Sequence, residues 1–297
     1  MNKYKFPVPK QRVIGRIRKE FPFLTWKRYR LIDHGWDHFV IVLDGKIVFR
    51  TPKDVRYRRE FKNEIGLLSY LKKKVEAGIP EYKYIARDRT LAGYDLVPGR
   101  ELTVARFRGL TAREKGKAAR QLARFITALH STPRSVLKKY HVRRDDPRKR
   151  WSQYARDMKR MLYPRMRRAE IDAVTRFLDE QKREADRRIP FSLVHRDISG
   201  IHILWDKKEQ RINIIDFSDR VVSDPAYDFV GLFEYGFEFA RKVFRLYRGP
   251  KDDHMFYRAS LYHKSLPLLY MIASLRGDPC SYRKNYELFR RNFMSRP

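Results

Sequence analysis

The stretch Leu193-Val194-His195-Arg196-Asp197 decides the fold, together with Ile212-Asn213-Ile214-Ile215-Asp216-Phe217. Each stretch joins a short apolar run to an acidic residue, and the two acids, Asp197 and Asp216, lie nineteen positions apart. The run before Asp216 indicates a buried strand, and an acid at the end of such a strand can point into a cleft and bind Mg²⁺ through oxygen. A surface salt-bridged turn at Asp197 and a turn-capping role for Asp216 are the simpler alternatives, which the pairing disfavours.

The spacing of these acids is typical of a kinase-type phosphotransfer centre. Phosphoryl transfer needs an in-line nucleophile and neutralised phosphate charge. We therefore predict that Asp197 orients the attacking hydroxyl group and accepts its proton, and that Asp216 binds Mg²⁺. His202 stands five residues after Asp197, where protein kinases use asparagine. Imidazole is a softer ligand than magnesium prefers, so His202 is either a second metal ligand or a structural hydrogen-bonding residue.

Length and composition indicate a two-lobed or two-domain protein with a large core. The chain has 297 residues, of which 42% are apolar, too many for a disordered chain. Its single cysteine, Cys280, excludes a disulfide within the chain and fits a reducing cytoplasm. The longest apolar run, Leu266 to Leu275, is interrupted and too short to span a bilayer, and no apolar signal segment follows Met1. We expect a soluble, cytoplasmic protein without a transmembrane segment.

The formal net charge of +33 is unevenly distributed. Residues 1–35 carry ten basic and two acidic side chains, and residues 138–168 carry thirteen and three. Residues 216–240 reverse the sign, with six acids against Arg220 alone. Basic surface attracts nucleic acid and anionic membranes, although a charge run is usually only a solvated face. The acidic stretch begins at Asp216, which places negative charge beside the predicted metal site.

The pattern along the chain predicts strands first and helices afterwards. Residues 39–50 read as a hairpin with an Asp-Gly turn, a helix follows at about 57–74, and strands are predicted at 82–85 and 92–97. Pro98-Gly99 breaks the pattern. Helices are predicted from Thr111, with Glu114 at the capping-box position, to His130. Further helical patterns cover residues 146–187, 227–247, 254–275 and 281–294.

This order predicts an α+β fold of the two-lobed protein-kinase type. The N-lobe, residues 1–97, is a small, mostly antiparallel sheet that binds nucleotide. The C-lobe, residues 98–297, is larger and helical, and holds the catalytic and substrate-binding residues. In the N-lobe, Arg50 ends the hairpin strand and Glu64 follows fourteen residues later on the helix. A kinase needs a cation on that strand to hold phosphates and a helix acid to orient it, although each residue taken singly could be surface charge.

These motifs resemble the aminoglycoside phosphotransferase family of kinase-like enzymes over nearly the whole chain. Residues 31–53, including His34-Gly35-Trp36-Asp37, look like the nucleotide roof and phosphate-binding strand, and residues 61–68 like the paired helix. Residues 92–99 look like the hinge, residues 121–130 like the helix after it, and residues 223–229 close the pattern. Among subfamilies, the aminoglycoside 2''-phosphotransferases are most similar, because they too place histidine where His202 stands.

The resemblance implies roles for several residues. His202 joins Asp216 as a metal ligand, and backbone groups of Asp95 and Val97 bind the purine. Tyr94 is the gatekeeper beside the base, and a bulky aromatic residue there is associated in that group with GTP rather than ATP as phosphate donor. Ile215 can pack on the base or simply in the core. Ser218 departs from the family, which usually has glycine at this position, and so restricts the backbone of the metal loop.

The resulting hypothesis is a small-molecule kinase that transfers the γ-phosphate of GTP or ATP to an aminoglycoside hydroxyl group. The partners are a nucleoside triphosphate and a small cationic, hydroxyl-bearing substrate, with Asp219, Glu234 and Glu238 as candidates to bind ammonium groups. Glu234 and Glu238 are expected one helical turn apart. Asp219 and Asp228 could instead hold a second metal or orient backbone. A macrolide, an amino-alcohol metabolite or another sugar is the alternative acceptor. A basic module that binds RNA or an anionic membrane through residues 138–168 is the alternative of another class.

Overall fold

The computed structural model describes residues 10–32 and 37–294. His34-Gly35-Trp36 of the roof motif lies outside the described residues. The first lobe is built on a five-stranded antiparallel sheet in the order β1-β2-β3-β5-β4. Its strands are β1 (Tyr29–Ile32), β2 (His38–Leu43), β3 (Ile47–Pro52), β4 (Tyr84–Ile85) and β5 (Ala92–Asp95).

The predicted hairpin is confirmed as strands β2 and β3. Val42 lies opposite Val48 in the register, and Asp44 and Gly45 form the turn with φ of 47° and 68°. Two left-handed residues match the twist of the flanking strands, which explains the Asp-Gly sequence. The hairpin places Arg50 on β3, in the centre of the sheet.

Two helices flank this sheet, and the sequence pattern predicted only one of them. Helix α2 (Arg58–Leu71) follows a 3₁₀ turn, Val55–Tyr57, and is three residues shorter at its C-terminal end than expected. Helix α1 (Lys10–Glu20) was not predicted. Its buried residues Val13, Ile14 and Ile17 have helical spacing and pack with Phe21 against the sheet. That spacing was the available signal.

The second lobe is mainly helical. It contains α3 (Val104–Arg108), α4 (Ala112–His130), α5 (Arg134–Lys139), α6 (Pro147–Met161), α7 (Arg168–Ala185), α8 (Phe237–Leu246), α9 (Met255–Leu275) and α10 (Tyr282–Met294). The capping box of α4 is confirmed: the Glu114 amide donates to Thr111 Oγ1 at 3.2 Å, and the Thr111 amide donates to Glu114 Oε2 at 2.8 Å. The opposite face of α4 is buried in the main core. The two-lobed α+β prediction is confirmed.

Two small sheets carry the motif residues. Strand β7 (Ser192–Val194) pairs with β10 (Val221–Ser223) and ends just before the loop that holds Asp197. Strands β8 (Ile203–Asp206) and β9 (Arg211–Ile214) pair with each other, and β6 (Arg100–Glu101) extends this sheet. The strand predicted before Asp216 is therefore β9. Short buried strands place both acids at strand ends, where the chain turns into the cleft.

The expectation that Glu234 and Glu238 lie one turn apart on a single helix is wrong. Glu234 belongs to an irregular 3₁₀ segment, Pro225–Tyr235, and Glu238 belongs to the first turn of α8. Gly236 separates them with φ of 102°, a conformation that glycine adopts without steric cost. The two carboxylates therefore belong to different elements.

Within residues 10–32 and 37–294, no helix has both the length and the apolar character needed to cross a membrane.

Candidate active site

The loop before Asp197 is held by a buried carboxylate, that of Asp228. Its oxygens accept hydrogen bonds from the amides of His195 (3.0 Å) and Arg196 (2.6 Å), and it also contacts His130 Nε2 at 2.9 Å. Arg196 has φ of 74°, which costs energy in a residue other than glycine. Of the roles considered for Asp228, backbone orientation is therefore the one that its contacts support.

His195 joins the two motif loops. Its Nε2 lies 3.0 Å from the carbonyl oxygen of Ile215, and its Nδ1 accepts from the amide of Asp197 at 3.3 Å. The ring is fully buried and its centroid lies 4.6 Å from that of Phe217. Burial lowers the pKa of His195, so the ring is neutral and acts as a fixed spacer between the acids.

His202 lies between the two acids, as the spacing predicted. Its Nδ1 is 3.0 Å from the backbone oxygen of Asp197 and 3.2 Å from Asp197 Oδ2, and its Nε2 is 3.7 Å from Asp216 Oδ2. Burial opposes protonation, but the contact with Asp197 and the charge of both carboxylates raise the pKa of His202 to about 9. The contact at Nδ1 directs Nε2 toward Asp216.

The carboxylate of Asp197 is ionised at neutral pH. Burial disfavours its charge, yet the hydrogen bond and charge of His202 lower the pKa of Asp197 below its usual value. The hydroxyl group of Ser199 also donates to Asp197 Oδ1 at 3.2 Å. Asp197 can accept a hydrogen bond from an alcohol in this state, which is the requirement for orienting a nucleophile.

Asp216 and His202 can hold a magnesium ion that is also bound by phosphate, and such an ion would displace the proton that the raised pKa of His202 keeps on its ring at neutral pH. Burial opposes ionisation, but Arg50, Ser218 and His202 together lower the pKa of Asp216. Its Oδ2 and His202 Nε2 are 3.7 Å apart, close enough for both atoms to contact one cation. No cluster of three or more His, Cys, Asp or Glu side chains forms a complete metal site in the described part of the chain. Phosphate oxygens and water would complete the coordination, as Mg²⁺ usually requires.

Arg50 and Glu64 form the predicted ion pair, with Arg50 Nη1 2.6 Å from Glu64 Oε1. Both side chains are buried, and Tyr82 donates to the same Glu64 oxygen at 2.9 Å. Arg220, which the motifs did not mark, contacts Glu64 Oε2 at 3.1 Å. Burial opposes ionisation of Glu64, but the two guanidinium groups outweigh it and lower its pKa. Glu64 therefore joins strand β3 to the loop after Asp216.

A cleft between the two lobes has a volume of 730 Å³ and ends at Arg50 and Asp216. Its apolar walls come from both lobes: Val40, Val42, Val48, Tyr94, Leu96, Val97, Leu204 and Ile215. The amide of Leu96 donates to the Lys46 carbonyl at 2.7 Å, so the backbone groups of Asp95 and Val97 face away from β3. An apolar slot that ends in a cation and an acid can hold a purine with its phosphates at the charged end.

A second cavity, of 280 Å³, opens beside Asp197. Its acidic lining comes from Asp197, Asp219 and Glu234, whereas Glu238 is not among the lining residues. Glu238 instead pairs with Arg241 at 2.6 Å on an exposed helix face. Burial raises the pKa of the Glu234 carboxyl, although much of its surface is exposed. The structure thus brings two of the three predicted substrate-binding acids to the same cavity.

Aromatic side chains form much of the wall of this second cavity, and no role was predicted for any of them from the sequence. They are Trp151, Tyr154, Tyr227, Tyr262 and Tyr270. Tyr262 stacks on Trp151 with ring centroids 5.4 Å apart and on Tyr227 at 4.5 Å. These residues come from α6, the 225–235 segment and α9, so only the packing of the helices brings them together.

A known protein family matches the part of the chain that contains these site residues. The profile of the Phosphotransferase enzyme family matches residues 28–258, which include Arg50, Asp197, His202 and Asp216. This range covers most of the chain and spans both lobes.

Solved structures show the same architecture. The GDP and kanamycin complex of APH(2")-IIIa is 25% identical, with a TM-score of 0.86 over 95% of this chain and 98% of that one. The GDP complex of wild-type aminoglycoside 2'-phosphotransferase-IIIa is 27% identical, with a TM-score of 0.85 over 96% and 98%. Macrolide 2'-phosphotransferase type I is 18% identical, with a TM-score of 0.68 over 97% of both chains, and shares the fold.

Proposed function

Because this chain belongs to the phosphotransferase enzyme family and is a small-molecule kinase, we propose that it transfers the γ-phosphate of GTP or ATP to an aminoglycoside hydroxyl group. One observation carries the proposal. Asp197 and His202, from the loop between β7 and β8, converge with Asp216 from the loop after β9, and the buried Arg50–Glu64 pair lies beside Asp216. The likeness to a kanamycin-bound structure supports an aminoglycoside as acceptor.

Each residue has a role that follows from its position. The apolar slot holds the base, with Tyr94, Ile215 and backbone groups of Asp95 and Val97 around it. Arg50, oriented by Glu64, binds phosphate oxygens. His202 and Asp216 would hold Mg²⁺, which when bound neutralises negative charge on the phosphates. Asp197 accepts a hydrogen bond from the acceptor hydroxyl group and takes its proton late in the transfer.

The acidic lining of the second cavity accounts for a cationic acceptor in a chain of net charge +33. Asp219 and Glu234 lie in the same cavity as Asp197 and can bind ammonium groups. Charges farther than about 8 Å are largely screened at physiological salt, so distant basic patches have little effect inside the cavity. Local carboxylates therefore outweigh the net charge.

The aromatic wall favours a second candidate, an acceptor with one cationic group and an apolar face, such as a macrolide. Tyr154, Tyr227 and Tyr270 line the cavity with partly exposed rings. Arg196 also lines the cavity, with its guanidinium carbon 5.7 Å from the Tyr227 ring centroid. The rings suit the apolar face of such an acceptor, and Arg196 repels each additional cationic group that a polycation carries.

A panel of acceptors assayed with both GTP and ATP tests the proposal. Nucleotide turnover and a mass increase of one phosphoryl group on an aminoglycoside support it, and modification of a macrolide alone supports the second candidate. Asp197→Asn is expected to keep nucleotide binding and to lose transfer by about a thousandfold or more, because the amide cannot take the proton. Full turnover by this variant would contradict the assigned mechanism.

A further inference from the structure

The hydroxyl group of Ser218 lies between the guanidinium group of Arg50 and the carboxylate of Asp216. Arg50 Nη2 donates to Ser218 Oγ at 2.7 Å, and Ser218 Oγ donates to Asp216 Oδ1 at 2.7 Å. The direct distance from Arg50 Nη2 to Asp216 Oδ1 is 3.5 Å, longer than either hydrogen bond. The hydroxyl group therefore relays the interaction between the cation and the acid.

The two carboxylate oxygens of Asp216 therefore have different roles. Oδ1 accepts from the hydroxyl group of Ser218 and lies 3.3 Å from its amide nitrogen. Oδ2 faces His202 Nε2 at 3.7 Å, where the metal ion would be bound. One oxygen is thus fixed by the protein, and the other is presented to the ligand.

Without the hydroxyl group, Arg50 and Asp216 have a competing arrangement. A guanidinium group and a carboxylate readily hydrogen-bond directly when nothing separates them. Because Glu64 holds Arg50 Nη1, the Nη2 group would close on Asp216, which would reorient the carboxylate and withdraw that N–H group from the phosphates. Ser218 prevents this by occupying the space between them.

The backbone of the loop does not require glycine at position 218. The left-handed residue of the loop is Asp216, with φ of 62°, and Ser218 is not among the described residues with positive φ. The side chain can therefore serve the site without backbone strain.

Arg220 anchors the same loop from its other end. Its guanidinium group contacts Glu64 Oε2 at 3.1 Å, the Phe217 carbonyl at 3.0 Å and the Glu60 carbonyl at 2.8 Å. The loop is thus tied to helix α2 by Arg220 and to strand β3 by Ser218. The position of the Asp216 carboxylate is set in the structure before any ligand binds.

We propose that Ser218 is a positioning residue for phosphoryl transfer, whose hydroxyl group holds Asp216 in the orientation that binds Mg²⁺ and keeps Arg50 available to phosphate. The proposal rests on the proposed phosphotransfer chemistry but not on the identity of the acceptor. Ser218→Ala and Ser218→Gly remove the relay, and Ser218→Thr retains a hydroxyl group. Ser223→Ala is the matched control, since it removes a buried hydroxyl group that donates to the Asp145 carbonyl at 3.1 Å, outside the site.

Calorimetric titration with GDP at a series of Mg²⁺ concentrations, and in EDTA, measures the effect without an acceptor. We expect Ser218→Ala and Ser218→Gly to raise the half-saturating Mg²⁺ concentration about tenfold, the size of one charge-assisted hydrogen bond. GDP affinity in EDTA should fall by a smaller factor, about two- to threefold, because only the contact between Arg50 and phosphate is weakened there. The half-saturating Mg²⁺ concentration of Ser218→Thr should stay near that of the wild type. The thermal unfolding midpoints of the three Ser218 variants should match that of Ser223→Ala.

Transfer assays separate positioning from a purely structural role. With any accepted substrate, kcat of Ser218→Ala should fall while the nucleotide KM at saturating Mg²⁺ changes little. An unchanged Mg²⁺ requirement in the Ala and Gly variants would overturn the proposal. So would a Thr variant as impaired as the Ala variant, or an equal loss of GDP affinity in EDTA. If no acceptor in the panel is phosphorylated, the proposed function fails, whereas the Mg²⁺ dependence of GDP binding still decides the role of Ser218.

Discussion

Replacing Glu64 by glutamine should cost the protein a large part of its stability. The carboxylate is 1% exposed and accepts from Arg50 at 2.6 Å, Tyr82 at 2.9 Å and Arg220 at 3.1 Å. Glutamine has nearly the same shape, but its amide places one N–H₂ group against a buried guanidinium group. Removing one partner of a buried ion pair costs about 3–5 kcal/mol, so we expect Glu64→Gln to lower the free energy of unfolding by about 3 kcal/mol.

A double-mutant cycle with Arg220→Met assigns this loss to unpaired charge. Arg220→Met removes one of the two cations that face position 64, so the double variant should be more stable than the sum of the single losses predicts, by about 1–3 kcal/mol. Chemical denaturation followed by circular dichroism and tryptophan fluorescence gives the free energies, if the two probes coincide. Glu76→Gln is the control, because the Glu76–Arg124 pair is exposed and should contribute less than about 1 kcal/mol.

The difference between the wild type and Glu64→Gln should also depend on pH. The pKa of Glu64 is lowered in the folded protein, because Arg50 and Arg220 outweigh the effect of burial. Its stabilising contribution is therefore complete above the unfolded value of about 4.3 and is lost as the pH falls through the folded pKa. The gap should be constant from pH 7 to about pH 5 and narrow below that. The reasoning would be refuted if Glu64→Gln lowered the free energy of unfolding by less than about 1 kcal/mol at pH 7. Strict additivity in the double-mutant cycle would also refute it, as would a stability difference that grows as the pH falls.

Three further predictions concern the base, the acceptor and the core. Tyr94→Ala should lower the ratio of kcat/KM for GTP to kcat/KM for ATP by roughly tenfold, because it removes the buried ring beside the base. An unchanged ratio would count against the gatekeeper role. Glu234→Gln should raise the acceptor KM roughly fivefold with little change in kcat. Glu238→Gln should change it much less, since that carboxylate pairs with Arg241 outside the cavity, and an equal rise would exclude the cavity as the acceptor site. Arg258→Met should destabilise the protein by about 3–5 kcal/mol, because Asp224 and Asp252 lose their shared buried cation. In the wild type the Arg258 guanidinium group lies 2.7 Å from Asp224 and 2.6 Å from Asp252. A denaturation midpoint equal to that of the wild type would contradict this.

Local chemistry made several features predictable. The Asp-Gly turn, the capping box at Thr111 and the apolar run before Asp216 depend on a few consecutive residues, and each stands as expected. The Arg50–Glu64 pair was also predictable, because a kinase-type site needs a cation on that strand and an acid on the following helix to orient it. By contrast, the interruption at Gly236 depends on the positive φ of a single residue within a helical pattern. The apolar periodicity continues across this residue, so it wrongly predicted one helix that contains both Glu234 and Glu238.

The sequence by itself determined the class of chemistry, because the spacing of Asp197, His202 and Asp216 around short strands is a local property of the chain. Only the tertiary structure decided how these groups are held. Asp228 supports the loop that holds Asp197 from thirty-two residues away, and Arg50 reaches Ser218 across 168 positions. Such contacts depend on how the two lobes and the helices pack, and packing is set by many apolar residues acting together. No local pattern encodes them, which is why the hydrogen bonds of Ser218 and the aromatic wall of the cavity beside Asp197 are seen only in the folded chain.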